Sequence, residues 1–264
     1  MTPMASSTDR ETYVRLNGVF VPPSVGDETV SAVRPLCLEI GRGEFLSVVG
    51  PRRCGKDLLL RMIAGLDPVI SGNIEFYDED GPEVRRVGYV FREPLLLPWR
   101  SVLENVMLEA EILRLDRRSL EQRASRLLAS LALEGLEDCR VLELQPEQAR
   151  CVSICRALLC NPSLLLMDDP FSSMDFGARE DAVAAFQRLW MESRFAVVLA
   201  TSDISEAVQL ADRVMLMAPD PPRILRILEI DLPRPRRLDK TTTPLITDYA
   251  NRVRTIFHAE AMPL

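Results

Sequence analysis

The stretch Gly43–Leu66, GEFLSVVGPRRCGKDLLLRMIAGL, decides the fold. Its apolar run Phe45–Val49 has the length of a buried strand, and the residues after Lys56 carry a helical pattern. Between them Gly50 and Gly55 stand at the spacing of a G-x-x-x-x-G-K-[ST] phosphate loop, with Lys56 following. In that strand, loop and helix context the glycines let backbone N–H groups turn inward around phosphate oxygens. The helix then offers its positive end, and Lys56 reaches the terminal phosphates. Gly50, Pro51, Arg52, Arg53, Cys54, Gly55, Lys56, Asp57 and Leu58 are therefore candidate nucleotide-binding residues. The last position breaks the pattern: Asp57 stands where a Ser or Thr hydroxyl would ligate Mg²⁺. A turn that merely joins a strand to a helix is the alternative, and the remaining chain has to decide.

A chain of 264 residues buries a sizeable core and accommodates one α/β domain with smaller subdomains. Lys and Arg total 32 against 39 Asp and Glu, a formal net charge of −7, which argues against a nonspecific nucleic-acid binder. No stretch approaches the roughly 20 apolar residues of a membrane span, and MTPMASSTDRETY lacks the apolar segment of a signal peptide, so the expected location is cytoplasmic. Cys37, Cys54, Cys139, Cys151, Cys155 and Cys160 include no C-x-x-C pair and stand far in sequence from the sole histidine, His258. They read as reduced core thiols, although Cys151 and Cys155 lie one helical turn apart.

Residues up to Glu11 are polar and read as loose, and Tyr13 to Ile40 partly alternates, as in two antiparallel strands. Tyr13 and Phe20 are candidates to stack on an adenine, although core packing is the favoured role for either one alone. Short strands follow at Ile74–Tyr77 and Arg86–Phe91, then REPLLLPWRSVLENV, whose Leu95, Leu96, Leu97 and Trp99 sit in a Pro-bounded loop as a candidate docking surface. From Ser101 to Cys160 the chain reads as mostly helical: VLENVMLEAEILRL, SLEQRASRLLASLAL, and PEQARCVSICRALL with Pro146 in a first turn. Leu164–Met167 is a buried strand ending in Asp168 and Asp169, a helix spans about Phe176–Trp190, and Phe195–Thr201 leads to a helix capped by Ser202 or Asp203. Two acids at a strand's C-terminal edge suit a cation held through oxygen and an oriented water. A strand at Arg213–Met217, a strand-like ILRILEIDL, the Pro/Arg-rich PRPRR and a helix over Pro244–Ala259 complete the chain.

In this order GPRRCGKDLLLRMIAGL, GYVFREPLLLPWRSVLENV, LLLMDDPFSSMD and SDISEAVQLADRVMLM resemble the nucleotide-binding subunits of ABC transporters, from about Tyr13 to Leu238. LLLPWRSVLENV with EIDLPRPR is similar to the importers of nitrate, sulfonate, taurine or bicarbonate. The resemblance implies an α/β fold: a P-loop NTPase (RecA-like) core, residues 1–92 and 161–240 with an antiparallel β subdomain, a helical subdomain at 93–160 and a C-terminal helix at 241–264. It implies ATP as ligand and two such subunits facing head to tail. It also implies permease subunits docked at the Pro-bounded loop, hence a peripheral position on the inner face of the membrane. Asp168 would hold Mg²⁺, and Asp175 matches a dimer-facing loop.

Against that template the polar stations depart. Asp57 replaces the metal-ligating hydroxyl, Arg92 a glutamine, Ser202 a histidine, and Asp169 the general-base glutamate. The shorter acid misplaces its carboxylate by about an ångström, on the order of a hundredfold in rate. The signature that presents serine and glycine N–H groups to phosphate aligns with Leu144-Gln145-Pro146-Glu147-Gln148, which holds no glycine. The expectation is a catalytically impaired subunit with Mg²⁺ poorly held. A slow ATPase in which arginines replace Mg²⁺, and a pocket closed by an Arg92–Asp57 pair, remain open. A soluble kinase or GTPase would need its own acceptor or base motif, and none is found.

Overall fold

The computed structural model describes residues 11–22, 35–77, 86–219 and 221–261. In chain order the elements are β1 (Thr12–Val19), β2 (Leu36–Gly41), β3 (Phe45–Val49), α1 (Lys56–Ile63), β4 (Asn73–Phe76), β5 (Val87–Val90), α2 (Val102–Val106), α3 (Leu108–Ile112) and α4 (Arg117–Ser130). They continue as a 3₁₀ turn (Val141–Glu143), α5 (Pro146–Leu158), β6 (Leu164–Asp168), α6 (Phe176–Ser193), β7 (Ala196–Thr201), α7 (Ile204–Leu210), β8 (Arg213–Ala218), β9 (Arg223–Glu229) and α8 (Thr242–Ala261). The chain divides into two compact units, Met1–Arg85 with Arg194–Leu264, and Arg86–Ser193.

In the first unit β3 lies between β7 and β8, parallel to both, and all five of its residues are buried. A run apolar but for the fully buried Ser47 suits a strand covered on both faces. β9 pairs antiparallel on β8 and is half-exposed. A second sheet, ordered β2-β1-β4 and antiparallel throughout, follows the alternating pattern: Leu36, Leu38 and Ile40 are buried while Cys37 and Glu39 are exposed. Tyr13 belongs to this core. It is 1% exposed, with Phe76 edge-on at 6.1 Å and the Arg42 guanidinium 5.1 Å from its ring. Core packing, the favoured of the two roles open to Tyr13, is the one its burial and ring contacts support; Phe20 is half-buried.

The Pro/Arg-rich segment is an internal clamp. Arg236, 1% exposed, donates to the carbonyls of Val208 (2.7 Å), Ala211 (2.6 Å), Ile230 (3.0 Å) and Leu232 (3.0 Å). Arg234 donates to Asp212 Oδ1 at 2.9 Å, and Asp212 Oδ2 accepts from the Phe45 N–H at 3.1 Å. The clamp thereby ties the end of α7 and the chain after β9 to the start of β3. α8 is seated by Ile246, Ala250 and Val253, one apolar stripe at helical spacing, and packs on α7, β8 and β9. Its first turn is tied down by Asp239, which accepts from the Thr241 and Thr242 N–H groups at 2.9 and 2.8 Å.

In the second unit β5 and β6 run parallel, Val87 opposite Leu164 and Val90 opposite Met167. Ser101 and Glu104 form a reciprocal capping box at α2, and Asp116 caps α4. VLENVMLEAEILRL, expected as one helix, is two short ones. At Met107 ψ is −4°, so the winding tightens, and the burial of Val106, Met107 and Ala110 overrides local propensity.

Candidate functional site

The phosphate loop of the first unit is held by sterics that only glycine satisfies. A Cβ on Gly50 would lie 2.4 Å from the Met217 carbonyl oxygen and 2.6 Å from the Cys54 sulfur. Gly55 caps α1 at φ 83°, the left-handed region, and its Cβ would meet Val21 at 2.6 Å. Lys56 is only 7% exposed, and its Nζ donates to the carbonyls of Gly50 (3.1 Å) and Pro51 (3.2 Å). The ammonium is therefore held inside the turn of the loop. Burial raises the Cys54 thiol above its ordinary range, with the Lys56 charge acting the other way, so it packs as an apolar plug. Pro51 and Leu58 are half-buried, while Arg52, Arg53 and Asp57 are exposed, with Arg53 at φ 70°. In the same unit Ser202 is exposed beside Asp203, whose side chain caps α7 by accepting from the Ser205 and Glu206 N–H groups at 2.9 and 3.1 Å.

In the second unit Asp168 ends β6 half-buried, and Asp169 follows at φ 48°, 6% exposed. The Arg92 guanidinium donates to Asp169 Oδ2 at 3.2 Å, across 77 residues of sequence. The parallel pairing of β5 and β6 carries their C-terminal ends side by side, so Arg92 emerges next to the acids. Asp175 is exposed and accepts from the Ala178 N–H at 2.9 Å, holding the start of α6.

The loop after β5 is fastened by residues that sequence reading missed. Arg150 donates to the Arg92 carbonyl, and Arg156 to those of Leu95 (2.9 Å) and Pro94 (2.8 Å). Asn105, fully buried, accepts from the Leu97 N–H at 2.7 Å and donates to the carbonyls of Leu97 (3.1 Å) and Ser101 (2.9 Å). An Asn within a helical run was the available signal. Leu95 and Trp99 are left 58% and 68% exposed. Leu144 is extended and Gln145 caps α5, its N–H donating to Gln148 Oε1 at 2.9 Å, with Pro146 at the first helical position.

The loop fits a polyphosphate: a glycine cradle closed to any side chain, a helix N-terminus behind it, and an interior ammonium. Arg92 offers only N–H donors, no lone pair for a metal, and its charge already rests on Asp169. Among the described residues no group of three or more His, Cys, Asp or Glu is placed to hold a metal, and no helix is long and apolar enough to cross a membrane.

Residues 33–172 match the family described as ABC transporter. The chain is 33% identical over 230 residues to the aliphatic sulfonates import ATP-binding protein SsuB of Bacillus licheniformis, covering 86% of this chain and 88% of that one. With the taurine import ATP-binding protein TauB of Escherichia coli O157:H7 the identity is 37% over 199 residues, covering 75% and 78%. Among solved structures, the dimeric post-hydrolysis state of the cassette MJ0796 bound to ADP and Pi superposes with a TM-score of 0.70 at 28% identity, covering 83% of this chain and 99% of that one.

Proposed function

This chain belongs to the ABC transporter family, and we propose that it is the ATP-binding subunit of an importer for a small anion or sulfonate and that its own hydrolysis is weak or absent. We assign its 264 residues to one nucleotide-binding domain, with 93–160 as the helical subdomain and 241–264 as the C-terminal helix. The substrate class follows the two import relatives, and the TauB and SsuB likeness also supports permease subunits and a second nucleotide-binding subunit as partners. The exposed Leu95 and Trp99 are the docking point we assign to the permease, which puts the subunit peripherally on the cytoplasmic face of the membrane.

The observation that carries the impaired chemistry is the Arg92–Asp169 ion pair. Bound ATP supplies the phosphoanhydride whose hydrolysis drives transport in this family. Gly50 to Leu58 would hold its phosphates, the loop N–H groups and Lys56 meeting the charge. By the family resemblance Asp169 is the acid that would take a proton from water. The Arg92 guanidinium donates to Asp169 Oδ2 and so occupies an acceptor position that an attacking water would need. Asp168 and Asp57 remain as oxygen donors, but no step is assigned to a metal. Ser202 offers a hydroxyl in place of a group able to carry a positive charge.

Calorimetry with ATP followed by phosphate release on the same purified chain tests this. The expected outcome is ATP binding without turnover above background. Turnover matching that of the SsuB relative, assayed alongside, would show that Asp169 works despite its partner.

A further inference from the structure

A triphosphate in neutral solution carries about four negative charges, and a bound divalent ion cancels about two of them. A loop that takes the bare anion must therefore supply more positive charge itself. The G-x-x-x-x-G-K-[ST] pattern requires a single cation. Here Arg52, Arg53 and Lys56 stand against Asp57, a net of two positive charges within the loop and first helical turn.

These groups differ in depth. Lys56 is folded into the loop on the Gly50 and Pro51 carbonyls, whereas Arg52 and Arg53 are exposed on its outer turn. Arg53 occupies φ 70°, a backbone conformation that favours glycine, so a guanidinium stands where the chain itself prefers no side chain. Guanidinium forks match phosphate oxygens two at a time and stay charged at any working pH. At the other end of the loop the hydroxyl that would share a metal with phosphate is replaced by the exposed Asp57 carboxylate, which repels phosphate at close range.

We infer that this loop takes metal-free ATP in preference to its Mg²⁺ complex, with Arg52, Arg53 and Lys56 supplying the compensation that a divalent cation supplies in the patterned loop. The inference rests on the nucleotide-binding reading above and names the ionic form of the ligand.

The test is titration of the full chain with ATP, once in excess EDTA and once in Mg²⁺, at matched ionic strength so that screening is equal. Binding about tenfold or more tighter in EDTA is the expected result, the equivalent of one additional charge-assisted contact. Arg53→Gly should lose about tenfold in EDTA and much less in Mg²⁺. Because glycine suits φ 70°, an unchanged melting temperature will show that the loss is of charge and not of fold. Arg52→Ala should behave alike, and Asp57→Ser should bring the two conditions together. Tighter wild-type binding in Mg²⁺, lost in Asp57→Asn, would make the carboxylate a metal ligand and overturn the inference while leaving the nucleotide reading standing. An Arg53→Gly affinity unchanged in EDTA overturns it too. No ATP binding in either condition overturns both.

Discussion

Gly50–Asp57 and Leu144–Gln148 are the two stretches that the family pattern assigns to phosphate, and they are built on opposite terms. The first is constrained from inside the protein: Gly50 is pressed by the Met217 carbonyl and Cys54, Gly55 must be left-handed, and Lys56 is stitched into the turn. The second faces outward and spends its polar groups on itself, with the Gln145 N–H on Gln148 and a proline that has no N–H to offer. The difference teaches that sterics of the interior hold a motif's backbone in place whatever becomes of the chemistry. Positions answerable only to a ligand, such as 57, 147 and 202, are free to change without disturbing the fold.

The largest effect should therefore come from the interior side. Gly50→Ala places a Cβ 2.4 Å from a backbone oxygen that β8 holds rigid, with a cost of about 3 kcal/mol in denaturant unfolding. A loss below about 0.5 kcal/mol would mean that the loop yields easily, and the contrast between the two stretches would fail.

Legibility in the sequence follows the same division. β3 was readable because five consecutive residues are buried on both faces, and β2 because its burial alternates. The helix breaks at Met107 were not, since nothing in VLENVMLEAEILRL interrupts the helical pattern. Within the site, Gly50, Gly55 and Lys56 announce themselves by spacing alone. The Arg92–Asp169 pair does not, because two side chains 77 residues apart meet only once β5 and β6 are paired. Arg236 was hidden for another reason. Arginine composition suggests surface, and only the structure shows four converging carbonyls around a residue 1% exposed.

A middle-sized effect is expected at Asn105, which belongs to the interior side although it serves an exposed loop. Asn105→Ala leaves the Leu97 N–H and two carbonyls without partners, a cost of about 2 kcal/mol in thermal or denaturant unfolding. Trp99→Ala, at 68% exposure, should stay within about 0.5 kcal/mol of wild type. With Trp99 assigned to the permease contact, its truncation should instead reduce co-purification with the membrane subunits. A Trp99→Ala protein that melts early yet retains its partners would invert the comparison.

The smallest effect sharpens it most. Gln148 accepts the N–H of Gln145 at 2.9 Å, so Gln148→Ala removes half of a capping box and should cost about 0.5–1 kcal/mol. If Leu144–Gln148 is occupied with its own helix terminus, that loss should appear in the melting curve while ATP affinity and its EDTA-to-Mg²⁺ ratio stay at wild-type values. Two readouts are needed because a phosphate contact and a helix cap use the same backbone N–H groups and compete for them. A variant that melts normally but loses ATP affinity would place the stretch against the ligand, and the line between interior-constrained and ligand-constrained positions would have to be redrawn through α5.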